Sequence, residues 1–68
     1  MRHLSRNAHK AVVRYGLDTC LNLERLHREE GWGASGLAFE FDLTTRQADA
    51  AINAGRELRA IYEQGESP

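Results

Sequence analysis

Apolar residues along this chain recur at helical spacing, and short joints rich in glycine or polar residues separate the periodic stretches. Ala8, Ala11, Val12 and Tyr15 fall on one side of a helix that Ser5 is placed to cap. Gly16 reads as the left-handed stop of that helix. Asp18 or Thr19 then opens a second helix whose apolar positions are Cys20, Leu21, Leu23 and Leu26, and Gly31 closes it. A single helix running through Gly16 would cost only about 1 kcal/mol relative to alanine, but the break is the preferred expectation. Gly31-Trp32-Gly33-Ala34 is a joint, after which Ser35 caps a short third helix over Gly36 to Phe41, burying Leu37, Ala38 and Phe41. Asp42-Leu43-Thr44 makes a turn with Leu43 pointing inward. Thr44 caps a fourth helix that runs to about Tyr62, with Ala48, Ala51, Ile52, Leu58 and Ile61 facing the core. Only Leu37 to Phe41 is ambiguous between helix and strand. The pattern predicts an all-α fold, with one small four-helix domain over residues 1–64 and a frayed tail at 65–68.

The stretch Ser35 to Arg56, SGLAFEFDLTTRQADAAINAGR, holds the most specific chemistry. It reads as a central helix-turn-helix over about residues 35–56. Two helices that cross through a tight turn need small residues at the contact, and Ala38 and Ala48 stand ten positions apart where it would fall. Leu43 plugs the turn. Thr44 caps the second helix, so its positive dipole end and free N–H groups can face a phosphate. Thr45, Arg46, Asp49 and Asn53 project from the outer face, with Gln47 at its edge. Arginine pairs bidentately with guanine, and asparagine or glutamine with adenine. Asp42 is a departure, because such turns often carry glycine there. Aspartate can adopt the left-handed conformation, but its charge must face away from DNA. The bland alternative is an αα-hairpin with a polar outer face.

Composition changes this picture in two ways. A 68-residue chain buries little surface, and its lone Cys20 excludes an internal disulfide, so self-association as a homodimer is expected. The formal net charge of −1 argues against nucleic acid, but the charge is polarised. Arg6, Lys10 and Arg14 belong to a basic N-terminal segment, whereas Glu29, Glu30, Glu40 and Asp42 fall in a stretch without any base. No apolar run is long enough to span a membrane and the N-terminus lacks a signal-peptide core, so a reduced cytoplasmic compartment is expected. His3, His9, His27 and Cys20 lack the spacing of a metal site. Gly31-Trp32-Gly33-Ala34-Ser35-Gly36 matches G-x-G-x-x-G in letters, but no strand precedes it and no βαβ unit fits, so no nucleotide cofactor is expected. The carboxylates lack a base or nucleophile partner, so neither catalysis nor a cofactor is expected. Trp32, flanked by glycines, is expected to anchor its loop on the core.

The segment GASGLAFEFDLTTRQADAAINAGREL resembles small helix-turn-helix regulators of phages and prophages, and is similar in size and layout to repressors that accompany anti-CRISPR genes. The resemblance covers about residues 31–60. It implies a homodimer in the cytoplasm of a bacterial host, binding an inverted-repeat operator in double-stranded DNA upstream of its own operon and repressing it. The residues it carries over are Thr44, Thr45, Arg46, Gln47 and Asn53. On this expectation Arg46, Gln47 and Asn53 read bases while Arg6, Lys10 and Arg14 clamp phosphates. The alternative is a phage-type protein that inhibits a host protein, with Trp32 as anchor and Glu29, Glu30, Glu40 and Asp42 imitating a phosphate backbone. A four-helix oligomerisation module without ligands is the third possibility.

Overall fold

Glycines and one aspartate with left-handed or extended backbone cut the chain into four helices: α1 Arg6–Tyr15, α2 Leu17–Glu30, α3 Ala34–Glu40 and α4 Thr45–Gly65. The computed structural model describes residues 3–65, and no strand occurs among them. The fourth helix runs beyond the expected Tyr62 to Gly65, the first residue of the tail expected at 65–68, and residues 66–68 lie outside the described residues. Leu37 to Phe41 resolves as helix through Glu40, with Phe41 at its C-cap.

Ser5 caps α1 as expected, its Oγ accepting from the Ala8 N–H at 3.2 Å. The same residue ties α1 to α4: its N–H and Oγ donate to the two carboxylate oxygens of Glu57 at 2.9 and 2.7 Å. Gly16 ends the helix as expected, but with φ 95° and ψ 151° rather than in the left-handed helical region, a conformation that essentially only glycine adopts. It ends α1 and also serves as the N-cap of α2, so α2 begins at Leu17 rather than from an Asp18 or Thr19 cap. Asp18 instead occupies the first turn, where its charge suits the helix dipole. Gly31 closes α2 in the left-handed region, φ 77°.

The third helix starts earlier than the sequence predicts. Gly33 takes an extended N-cap conformation and its carbonyl accepts from the Leu37 N–H at 3.1 Å, so Ser35 lies inside the helix and caps nothing. Leu37 and Ala38 are buried, whereas Phe41 is only half-buried at the C-cap. Asp42 then adopts φ 58°. The Asp42 N–H reaches the Phe39 carbonyl at 3.4 Å and the Leu43 N–H reaches that of Ala38 at 2.7 Å. These are the two bonds of a Schellman C-cap, with aspartate where glycine is usual.

Helix α4 is the centre of the molecule and packs against the other three, most extensively against α2. Its buried stripe is Ala48, Ala51, Ile52, Ala54, Gly55 and Leu58, meeting Leu37 and Ala38 of α3, Cys20 and Leu23 of α2, and Ala8 and Ala11 of α1 in one core. Ile61 is half-buried and outside that core. The stripe of small residues lets α2 and α4 approach until their backbones nearly touch. A Cβ at Gly55 would overlap the Cys20 carbonyl and fall 2.6 Å from the Glu24 Cβ.

Trp32 does not join the core. It is 38% exposed, its ring lies over Gly36 and its carbonyl accepts from Nδ1 of His27 at 2.7 Å. The joint is therefore held by a local clasp rather than by a tryptophan driven into the interior.

Candidate nucleic-acid interface

The packing of Ala8 and Ala11 on α4 leaves the polar edges of α1 and α4 facing one another across an open groove of about 700 Å³. From α1, Lys10 and Arg14 line it; from α4, Arg46, Asn53 and Arg56. The positions on α4 follow the i, i+3, i+4 rule, because 46, 49, 50, 53, 56 and 57 all fall on one stripe of a helix. Four cations thus share a groove with two acids, Asp49 and Glu57, in a chain whose formal net charge is −1. Glu57 is engaged by Ser5. The groove therefore carries positive potential that the overall charge conceals.

Within it, the Arg56 guanidinium donates to Oδ1 of Asn53 at 3.2 Å, and Arg14 stands 5.9 Å from the ring centre of Tyr15, within cation–π range. Lys10 and Arg46 are exposed, and neither forms an ion pair among the described residues. Four of the expected residues are thereby brought together: Lys10, Arg14, Arg46 and Asn53. Arg6 is exposed at the start of α1 but does not line the groove, and neither does Thr45. Arg56 and Tyr15 join the site without having been expected. Their signal was present in the spacing, since Arg56 lies three residues beyond Asn53, and Tyr15 follows Arg14.

Thr44 and Gln47 bond to each other at the start of α4. The Gln47 N–H donates to Oγ1 of Thr44 at 3.0 Å, and the Thr44 N–H donates to Oε1 of Gln47 at 2.9 Å. This is a reciprocal capping box. It fixes the start of α4 and so the position of Arg46. It also occupies the glutamine oxygen that a bidentate adenine contact would use.

The acidic stretch is not a uniform patch. Glu29 is paired with Arg25 at 3.8 Å and with Arg28 at 3.2 Å, whereas Glu30, Glu40 and Asp42 are exposed. Phe39, unremarked in the sequence, is 89% exposed on α3.

Away from the groove, the one buried acid among the described residues is Glu24, 3% exposed at the α2–α4 contact. It receives Arg28 at 3.0 Å and Arg59 at 3.2 Å. Burial pushes its carboxyl up, but the hydrogen bonds and charges of the two arginines outweigh that and hold it below the usual glutamate range. Arg28 pairs with it along α2 (i, i+4), while Arg59 reaches it from α4 and ties the two helices together, so its role is structural. Cys20 is fully buried, and burial pushes its thiol up, away from nucleophilic use. Among the described residues no group of three or more histidine, cysteine or acidic side chains is arranged to hold a metal ion. No helix among them is long and apolar enough to cross a membrane.

No protein-family model, curated protein or solved structure matches this chain. A functional assignment therefore stands on the chemistry of the groove.

Proposed function

We propose that this chain is a sequence-specific DNA-binding transcriptional repressor that acts as a homodimer by occluding an inverted-repeat operator, including that of its own gene. The observation that carries the proposal is the α1–α4 groove, which gathers Lys10, Arg14, Arg46, Asn53 and Arg56 from two helices into one cationic surface. A sequence-specific duplex contact requires both non-specific phosphate partners and side chains that read base edges, and the groove holds both kinds. Helices α3 and α4 act as a helix-turn-helix with α4 as the recognition helix. Arg46 pairs with guanine, and Asn53 reads adenine after exchanging its bond to Arg56. Lys10 and Arg14 take phosphates inside the groove, while Arg6 and Thr45 take them beside it. Thr44 and Gln47 position the recognition helix rather than read it. In the dimer two α4 helices enter successive major grooves roughly 34 Å apart. The mechanism is steric and needs no cofactor.

Two substitutions test the division of labour. Arg46→Ala is expected to change the ranking of operator variants as well as the affinity, since a base contact is lost. Lys10→Ala is expected to weaken every duplex alike and to lower the salt slope by roughly one. Anisotropy titrations of both variants decide the matter. An unchanged ranking for Arg46→Ala removes its base-reading role, and loss confined to one sequence for Lys10→Ala removes its phosphate role.

The exposure of Trp32 and Phe39 supports a second possibility, inhibition of a host protein through the α3 side of the molecule. Under it, Trp32→Ala abolishes function in cells and Arg46→Ala does not.

A further inference from the structure

One residue in the groove is ill suited to a phosphate. Asp49 is exposed on α4, three residues after Arg46 and four before Asn53, and lines the same wall. Unlike Glu57, which is bound to Ser5, Asp49 forms no hydrogen bond or ion pair among the described residues. It therefore does not hold the fold together. Its charge also opposes the approach of any polyanion to Lys10, Arg14, Arg46 and Arg56. A carboxylate in that position becomes favourable only against a donor. The major groove offers two amino donors, N6 of adenine and N4 of cytosine; the adenine one lies beside the N7 acceptor, which repels a carboxylate, so aspartate and glutamate accept from cytosine.

We propose that Asp49 is a specificity-determining residue that accepts from the N4 amino group of one cytosine in each half-site. Its charge also disfavours duplexes that lack that cytosine. This rests on the DNA-reading function proposed above. The carboxylate acts as a filter among sequences: neighbouring arginines attract every duplex, and Asp49 penalises those without a matching donor.

The test is selection from a randomised duplex library with the wild-type chain, Asp49→Asn and Asp49→Ala, followed by sequencing, with circular dichroism to verify helicity. The wild type is expected to enrich a motif containing a fixed cytosine. In Asp49→Ala the preference for it should fall by on the order of tenfold. In Asp49→Asn the position should drift toward adenine, and both variants should bind scrambled duplex more tightly than the wild type. An identical motif from the wild type and Asp49→Ala would overturn the assignment of Asp49 while leaving DNA reading intact. No enriched motif from the wild type would overturn both.

Discussion

At position 55 only a hydrogen atom fits between α4 and the backbone of α2. Alanine is the better helix former by about 1 kcal/mol, so a surface glycine in α4 would gain stability on replacement. Here the added methyl would strike the Cys20 carbonyl, which belongs to a rigid helix and cannot swing aside. Gly55→Ala is therefore expected to destabilise the fold by about 1–3 kcal/mol, read as a lower urea midpoint. A midpoint at or above the wild type would mean the helices are not in close contact there. The buried carboxyl beside it makes a second residue-scale prediction. The Glu24 pKa lies lower in the folded chain than in the unfolded one, so its pairing stabilises above the unfolded value, about 4.3. That stabilisation is lost as pH falls through the folded value. Glu24→Gln should cost about 1–2 kcal/mol at neutral pH, the arginines being more than a third exposed. It should also lose stability less steeply than the wild type below about pH 4.3. Parallel pH dependence in the two proteins would exclude Glu24 from the acid transition.

Among the helices, most ends were legible from local chemistry, but the starts of α2 and α3 fall at Gly16 and Gly33 rather than at the expected Asp18 or Thr19 and Ser35. Gly16, Gly31 and the Ser5 and Thr44 caps are short-range signals, and each falls where the sequence places it. Asp42 in the left-handed region was legible for the same reason. What the sequence hid was long-range. Nothing near Gly55 or Glu24 in the chain says that each lies against another helix, and Trp32 carries no mark that its ring rests on Gly36 rather than in the core. The capping role of Gln47 was hidden because position three of a capping box and a reading position on a recognition helix share the same residue type. The capping bonds lead to a prediction at the scale of the element. Gln47→Ala should lower stability by about 0.5–2 kcal/mol through loss of the cap. Base preference should remain as in the wild type, with any loss of DNA affinity uniform across sequences. A selective change at one base position would return Gln47 to the reading face.

The molecule as a whole is a slab, 39 × 24 × 14 Å between Cα extremes. Such a thin body has little interior, which is why alanines dominate its core and why its largest fully buried side chains are Leu23, Leu37 and Cys20. A small core of this kind favours self-association, in keeping with the proposed dimer. The chain is slightly acidic in total, while the α1–α4 groove concentrates four cations. Total charge thus conceals the groove, whereas the i, i+3, i+4 arrangement on α4 makes its α4 wall legible.

The most direct test of the central claim is fluorescence anisotropy on DNA from upstream of the gene, compared with a scrambled duplex at several salt concentrations. The proposed function predicts a preference of roughly a thousandfold or more for the upstream sequence, with affinity falling steeply as salt rises. Equal weak binding to both duplexes, or none to either, would contradict it and turn attention to Trp32 and Phe39 as a protein-contact surface.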